Sequence, residues 1–174
     1  APTVTLSTST TTTAENSGGS RTLTATLSNA TTANVIVSIG TSGTASEGTD
    51  YGTISDITIS AGSTTGTTSF TPSNDSSVEG NETATVSITG VSGGSATENG
   101  SQAVTITITD DDTTPTVTLT SSATSITENS GSSITLTATL STADSSNVTV
   151  SFATSGTATE GTDYDLSLIH ISEP

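Results

Sequence analysis

Apolar residues recur at every second position in short runs that are separated by Gly, Ser and Asn. In the first 112 residues these runs lie at 4–6, 23–27, 35–39, 57–59, 68–70, 84–88 and 104–108. A period of two places alternate side chains on opposite faces of a β-strand, and Val, Ile and Thr favour strands. No window shows a helical period. About seven short strands in one domain predict an all-β fold, an immunoglobulin-like sandwich of two antiparallel sheets.

The chain also repeats itself at a long offset. Residues 2–51 align without a gap on residues 115–164, which lie 113 positions later, and about two-thirds of the aligned positions are identical. This period exceeds that of solenoid repeats and matches a whole domain. We therefore expect tandem repeats: a complete domain at 1–112, a linker at 113–114, and the first half of a second domain at 115–165.

Residues 166–174 depart from the repeat. They read LSLIHISEP, have no counterpart after Tyr51, and resemble the translation of a common sequencing-library adapter. We expect this tail, which contains His170, to be non-native; a genuine strand is the alternative. Because a repeat already begins at residue 2, we also expect the chain to be part of a longer protein.

The composition predicts a thin, aliphatic core. Hydrophobic residues make up 28% of the chain and aromatic residues 2%, and the sequence has no Cys, Met or Trp. This share is well below that of typical globular domains, and no disulfide can add stability. Such a Thr- and Ser-rich composition would also suit a disordered stalk, but a disordered chain has no need of regularly alternating apolar residues.

The charge balance restricts the partners. The formal net charge is −16, and Arg21 is the only Lys or Arg. Binding to nucleic acid or to an anionic membrane surface depends on basic residues, so neither is predicted. The chain has no apolar run as long as a membrane span, so no direct membrane insertion is predicted. Cations are the expected partners.

Catalysis is not predicted, so we expect no enzyme activity. The chain lacks Cys and Lys, and its single histidine, His170, lies in the tail. A pair of carboxylates could support glycoside hydrolysis, but there is no aromatic platform on which a sugar could bind.

Acidic side chains are concentrated in four segments. One precedes the second predicted strand, one follows the third, one precedes the sixth, and one follows the last. The oxygen-bearing candidates in these segments are Glu15, Asp50, Asn74, Asp75, Glu79, Glu82, Asp110, Asp111 and Asp112. If the four segments share one end of a sandwich, these side chains converge. Ca²⁺ takes about six to eight oxygen ligands, whereas zinc and copper favour nitrogen or sulfur, so the pattern favours Ca²⁺.

Several of these motifs resemble the Calx-beta domain family, which occurs in sodium/calcium exchangers, in integrin β4 and in large bacterial surface proteins. They are Glu15-Asn16-Ser17-Gly18, Gly43-Thr44-Ala45 followed by Gly48-Thr49-Asp50-Tyr51, Asn74-Asp75 with Glu79 and Glu82, and Ile106-Thr107-Ile108-Thr109-Asp110-Asp111-Asp112. The resemblance covers residues 2–112 and 115–164.

The resemblance implies which residues bind calcium. The implied ligands are Glu15, Asp50, Asp75, Glu79, Glu82, Asp110, Asp111 and Asp112. Where the family loop often reads Asp-Asp-Asp, this chain has Asn74-Asp75-Ser76, so Asn74 could offer only an uncharged carbonyl oxygen. In the second unit Glu128 and Asp163 are the only members of the set, which implies an incomplete second site.

Simpler interpretations stand beside these. The acidic triplet 110–112 could be a solvated charge run at a domain boundary, and Glu15 and Glu128 could be polar turn residues. Glu47 is expected to be a solvated loop carboxylate. We expect Tyr51 and Tyr164 to anchor the packing of their loops, and Phe70 to lie in the core.

Together these observations predict a calcium-binding structural or adhesive repeat of a large extracellular, bacterial surface protein. An ion held beside the linker 113–114 would stiffen the joint with the neighbouring repeat. The alternative is a calcium-sensing regulatory module in which binding changes the angle between domains. The expected partners are calcium ions and neighbouring repeats, and the sequence does not identify an adhesion target.

Overall fold

The structure, a computed structural model, describes residues 1–144 and 146–167. The chain divides into two compact units, unit 1 (Ala1–Thr114) and unit 2, which begins at Pro115. Most of the adapter-like tail, including His170, lies outside the described residues. Within the described ranges, no helix has both the length and the apolar character needed to cross a bilayer.

Unit 1 is a sandwich of two sheets. Its strands are β1 (Thr3–Thr8), β2 (Thr12–Ala14), β3 (Arg21–Leu27), β4 (Val35–Gly43), β5 (Ile57–Ile59), β6 (Thr65–Phe70), β7 (Glu82–Ser92), β8 (Thr97–Glu98) and β9 (Ala103–Thr109). One sheet has the order β6-β3-β1-β8 and the other β2-β9-β7-β4-β5. All pairs are antiparallel except β1 with β8 and β2 with β9. The predicted all-β, immunoglobulin-like sandwich is confirmed.

The predicted number of strands was too low. The seven predicted runs lie in β1, β3, β4, β5, β6, β7 and β9, but β2 and β8 are additional. Both are very short, and each joins a sheet edge through backbone hydrogen bonds to β9 and β1, respectively. Because backbone pairing does not depend on side-chain type, strands of two or three residues leave little alternation in the sequence.

The inner faces of the two sheets form one aliphatic core with a single aromatic pair. The core strands contribute Val4, Leu23, Ala25, Val35, Val37, Ile57, Ile59, Ala84, Val86 and Ile106, all of which are fully buried. The rings of Tyr51 and Phe70 stack with centroids 4.9 Å apart and are likewise buried. Tyr51 therefore anchors its loop and Phe70 lies in the core, as predicted.

Gly43, the last residue of β4, lies where the backbone leaves no space for a side chain. Its φ is +127°, and a Cβ built there would lie 2.1 Å from the carbonyl oxygen of Thr83. That close approach allows Ala45 N–H to donate to Thr83 O at 3.0 Å, just beyond the β4–β7 ladder. Gly43 therefore fixes how the chain leaves β4 towards the loop that contains Asp50.

The single basic side chain makes a hydrogen bond to a buried hydroxyl. Arg21 Nε donates to Thr13 Oγ1 at 3.0 Å, and Thr13 is buried and also contacts Ser17 Oγ at 3.2 Å. At the positions 113 residues later, the chain has Ile126 and Ile134. The repeat thus carries either a hydrogen-bonded polar pair or two apolar residues at these positions.

This exchange predicts that Thr13 and Arg21 are energetically coupled. Thr13→Ile and Arg21→Ile should each destabilise unit 1 by about 1 kcal/mol, since each removes the hydrogen bond between the two side chains. The double variant should be more stable than the sum of the single effects predicts, by roughly 0.5–1 kcal/mol. Urea denaturation of the four proteins measures this coupling, and strict additivity would contradict it.

Unit 2 has two described strands, β10 (Val117–Ser121) and β11 (Leu136–Leu140). They pair antiparallel in the register of β1 and β3, with Val117 opposite Leu140 as Val4 is opposite Leu27. Residues 148–156 are the counterparts of β4 but form no strand in the described part of the chain.

Candidate metal centre

The acidic segments of unit 1 lie together around one cavity. Its lining consists of Glu15, Asp50, Ser73, Asp75, Glu79, Gly80, Glu82, Ile108 and Asp110. These residues come from the turn after β2, the loop after β4, the loop between β6 and β7, the start of β7 and the end of β9. Segments that are far apart in sequence therefore meet at one place.

Strand pairing explains this convergence. β2 runs parallel to β9, with Ala14 beside Thr109, so Glu15 and Asp110 leave the same end of the sheet side by side. β7 runs antiparallel to β9 and begins with Glu82 opposite Ile108. The carboxylates of three different strand ends are thus placed together by backbone hydrogen bonds.

The carboxylates form two groups that could each hold an ion. One group consists of Glu15, Asp110 and Asp112, and the other of Asp50, Glu79 and Glu82. Within each group, one oxygen of every carboxylate lies within 4.8 Å of the others. Such clustering is unfavourable without a cation, because like charges repel at this separation.

Glu15 is held in place by a short turn and by a hydrogen bond from another loop. It begins a single 3₁₀ turn, Glu15–Ser17, which ends at Gly18 in the left-handed conformation (φ 61°). Asp75 N–H donates to Glu15 Oε1 at 2.7 Å, and the Glu15 side chain is buried. This bond ties the turn after β2 to the loop before β7.

Asp110 binds the same loop through its backbone. Its Oδ2 accepts hydrogen bonds from Glu79 N–H at 2.8 Å and Gly80 N–H at 2.6 Å. Its Oδ1 accepts from Asp112 N–H at 2.8 Å. These three donors stabilise the ionised carboxylate and hold the pKa of Asp110 below its ordinary value, with the Gly80 bond contributing most.

Asp50 is positioned by its own turn. Its Oδ2 accepts from Ser46 N–H at 2.6 Å, and Gly48 N–H donates to Tyr51 O at 2.7 Å. The same turn occurs in unit 2, where Asp163 Oδ2 accepts from Thr159 N–H at 2.7 Å. Since the turn forms in both units, its geometry depends on local sequence rather than on the rest of the sandwich.

Four carboxylates have raised pKa values. For Glu15, Glu79, Glu82 and Asp112 the largest cause is loss of hydration, and nearby negative charges raise the pKa further. For Glu15 the hydrogen bond from Asp75 N–H partly opposes this rise in pKa. The Asp75 charge acts on both Glu15 and Glu79, and Asp50 acts on Glu82. The ion-free cluster therefore resists full ionisation, as a cation-binding site would.

These shifts predict how the stability of calcium-free unit 1 depends on pH. Groups with a raised folded pKa contribute most when protonated, so the melting temperature in chelator should rise as the pH falls from about 7 to about 5. The pKa shift of Asp110 has the opposite sign. The stability that its ionised carboxylate contributes is therefore lost when the pH falls further, through its lowered pKa. Thermal melts across this range test the prediction.

The control for the pH series is Glu15→Gln. Glu15 is the buried member of the four and should account for most of the gain, so the neutral variant should show a flatter profile. A melting temperature that falls steadily from about pH 7 to about pH 5 in the unsubstituted chain would contradict the predicted sign.

Three of the predicted donors, Asn74, Asp111 and Asp112, lie outside this cavity lining, and of these only Asp112 belongs to one of the two carboxylate groups. Asn74 is exposed, and its Nδ2 donates to Asp75 O at 3.1 Å. Asp111 Oδ2 instead accepts a hydrogen bond from Asn16 Nδ2. Glu47 is exposed, as predicted, and accepts from Thr41 Oγ1 at 3.2 Å.

Three residues that line the cavity were not among the predicted donors: Ser73, Gly80 and the core residue Ile108 of β9. Ser73 precedes the acidic loop, and Gly80 lies between Asp75 and Glu82 with a φ of +81°. Gly80 acts through its backbone N–H, which donates to Asp110. The only signal in the sequence was a glycine between acidic residues, which by itself indicates a turn.

In unit 2 the two predicted ligands are not assembled. Glu128 and Asp163 are exposed, and within the described residues neither belongs to a group of three potential ligands.

The donor set of unit 1 fits Ca²⁺. It offers carboxylate oxygens from both groups, with no nitrogen or sulfur ligand among them. Calcium takes six to eight oxygens in flexible geometry, which suits carboxylates from several loops. Arg21, the only Lys or Arg in the sequence, donates a hydrogen bond to Thr13 and does not neutralise the negative charge of the cluster.

Several solved structures resemble the chain. The "Apo-form Calx CBD1 domain" is 21% identical, covers 63% of the chain and 99% of its own length, and gives a TM-score of 0.53. The structure "CBD12 from CALX1.2" is 22% identical, covers 63% of the chain and 44% of its own length, with a TM-score of 0.55. The "calcium binding domain CBD12 of CALX1.1" is 24% identical, covers 58% of the chain and 41% of its own length, with a TM-score of 0.50. The chain thus spans less than half the length of the two CBD12 structures.

Of the sequence comparisons, the one with family models supports this likeness. No curated protein sequence shows significant similarity to the chain. The family model described as "Calx-beta domain" matches residues 1–112 and again residues 110–170, which is nearly the whole chain. The chain belongs to the Calx-beta domain family.

Proposed function

We propose that unit 1 binds Ca²⁺ and is stabilised by it. The observation that carries this proposal is the convergence of two carboxylate groups, Glu15 with Asp110 and Asp112, and Asp50 with Glu79 and Glu82. Support comes from the raised pKa values in both groups and from membership of a family whose solved relatives include a "calcium binding domain".

In this proposal the residues have different tasks. The six grouped carboxylates are ligands, and Asp75, which lines the cavity beside them, adds a further carboxylate. Asp110 also orients the loop that contains Glu79, because it accepts hydrogen bonds from the backbone of Glu79 and Gly80. Asp111 and Asn74, which the resemblance and the sequence suggested as donors, support the loops from outside the cavity lining.

Calcium should raise the stability of unit 1 substantially. An ion that binds only the folded state stabilises it by about 2.7 kcal/mol at a free concentration 100 times Kd. For a domain of this size, that corresponds to a rise in melting temperature of roughly 10 °C. Thermal melts in calcium and in chelator measure it, and an unchanged midpoint would remove the proposed function.

A magnesium series controls for charge screening. Mg²⁺ requires near-ideal octahedral geometry and gives up water reluctantly, so it should stabilise the chain much less than Ca²⁺. Equal stabilisation by both ions and by sodium at matched ionic strength would indicate general screening of the cluster instead of a binding site.

We further propose that the module is a structural or adhesive repeat of an extracellular surface protein. Asp112, a member of one ligand group, is separated from Pro115 only by the linker 113–114. An ion bound there would restrict the backbone next to the joint. Tandem arrangements are consistent with the CBD12 relatives and with the internal repeat of this chain.

Small-angle scattering distinguishes a stiffened joint from a calcium sensor. A spacer should keep its mean dimensions and narrow their distribution when calcium binds, whereas a sensor should change its mean dimensions. The location of the parent protein is tested separately, by protease accessibility on intact cells. Protection of the repeat until the cells are lysed would argue against a surface role.

A further inference from the structure

One side-chain hydrogen bond joins the two chain segments that supply the first carboxylate group. Asn16 Nδ2 donates to Asp111 Oδ2, across 95 positions of the sequence. Glu15 directly precedes the donor, and Asp110 and Asp112 flank the acceptor. These three neighbours are the members of the group. The bond therefore lies within one residue of every carboxylate that the group contains.

Within the acidic triplet, Asp111 differs from its neighbours. Asp110 and Asp112 belong to the carboxylate group, whereas Asp111 belongs to neither group and does not line the cavity. Asp111 is exposed, and its Oδ2 accepts the hydrogen bond from Asn16. Its carboxylate thus attaches residues 110–112 to the turn after β2.

An uncharged donor suits this position beside a cation site. A hydrogen bond to an ionised carboxylate is stronger than one between neutral groups. A lysine or arginine could also donate to Asp111, but its positive charge would repel a cation bound by the neighbouring carboxylates. The amide of Asn16 holds Asp111 without reducing the negative charge of the cluster.

Unit 2 contains the same turn without an acidic triplet. Glu128-Asn129-Ser130-Gly131 repeats the sequence of residues 15–18, and the φ of Gly131 is 61°, equal to that of Gly18. Glu128 is exposed, whereas Glu15 is buried. The turn therefore forms from its local sequence, and the bond to Asp111 is not needed to fold it.

We propose that Asn16 is a positioning residue for the cation site. Through Asp111 it holds residues 110–112 against the turn that contains Glu15, and so keeps the first carboxylate group together. This role rests on the proposed binding of Ca²⁺ by that group. It acts through Asp111, since the ligands themselves are the neighbouring carboxylates.

The effect of this bond extends into the loop before β7. Asp110 Oδ2 accepts hydrogen bonds from Glu79 N–H and Gly80 N–H, and its Oδ1 accepts from Asp112 N–H. If residues 110–112 are released from the turn, these three N–H groups lose a fixed acceptor. Their exchange with solvent therefore reports on the position of the triplet without any calcium present.

Three variants separate the bond from its local surroundings. Asn16→Ala removes the donor and leaves the net charge unchanged. Asn129→Ala makes the same substitution in the matching turn of unit 2 and is the control. The double variant Asn16→Asp with Asp111→Asn keeps the net charge and allows the same bond with donor and acceptor exchanged.

The first readout is amide hydrogen exchange at Glu79, Gly80 and Asp112 in chelator, and the second is calorimetric titration with calcium. Asn16→Ala should speed exchange and weaken calcium binding, each by about fivefold. The double variant should return both to within about twofold of the unsubstituted chain. Asn129→Ala should change neither.

Four results would overturn the proposal. They are unchanged exchange in Asn16→Ala, an equal effect of Asn129→Ala, no recovery in the double variant, and faster exchange in Asn16→Ala with unchanged calcium affinity. If the unsubstituted chain binds no calcium, the proposed function fails. Faster exchange of Asn16→Ala in chelator would then still establish that Asn16 positions residues 110–112.

Discussion

Asp110→Asn is expected to weaken calcium binding by about a hundredfold, or about 2.7 kcal/mol. The change removes a full negative charge from the ligand group of Glu15, Asp110 and Asp112. It also disturbs the loop before β7. Both oxygens of Asp110 accept backbone hydrogen bonds, and an amide has only one oxygen, so an N–H group would face an NH₂ group.

Calorimetric titration of the variant and the unsubstituted chain measures this loss, with Glu47→Gln as the matched control. Glu47 carries the same charge and lies in the Asp50 loop, but it is exposed and contacts Thr41 outside the cavity lining. Its affinity for calcium should change by less than about threefold, since surface charges act weakly through water. Equal losses in both variants would show that the cluster attracts ions only through its net charge.

Gly43→Ala is expected to destabilise unit 1 by about 3 kcal/mol or more, which is a large part of the stability of a small domain. The new Cβ would lie 2.1 Å from Thr83 O, a backbone atom that cannot rotate away. The φ of +127° adds strain for any residue other than glycine. Urea denaturation followed by circular dichroism gives the change in the free energy of unfolding.

Gly156→Ala is the matched control from the equivalent position of the other unit. Gly156 is the counterpart of Gly43 in unit 2 and has a φ of +136°, but a Cβ there meets no atom within 4 Å. This variant shares the backbone strain without the clash and should leave the unfolding of unit 1 unchanged. If both variants leave the free energy of unfolding of unit 1 unchanged, the close approach between β4 and β7 does not contribute to its stability.

The sequence predicted the fold because the core-facing positions alternate so regularly. Leu23, Ala25 and Leu27 are buried while the threonines between them are not, which is the pattern that a two-sheet sandwich requires. β2 and β8 could not be predicted this way. Their positions follow from the free edges of β9 and β1, which exist only once the sheets have formed.

The residue types of the candidate site could be predicted from the sequence, but the hydrogen bonds that position them could not. Clustered carboxylates in four loops indicated an oxygen-rich site, and the structure brings most of them together. The donors that hold Asp110 are backbone N–H groups of Glu79 and Gly80, and such bonds leave no mark in a side-chain pattern. The hydrogen bond between Asn16 and Asp111 joins two side chains that are 95 positions apart in the sequence, so it could not be foreseen without the fold.

The parallel pairing of β2 with β9 has a mechanical consequence. When a tandem array is stretched, tension enters unit 1 near its first strands and leaves it beyond β9. Parallel strands pulled in opposite directions are loaded in shear, so the bonds from Thr12 to Ala14 share the force instead of opening one at a time. Glu15 and Asp110 follow directly on these paired ends. A cation bound between their carboxylates would hold the paired ends of β2 and β9 together under tension.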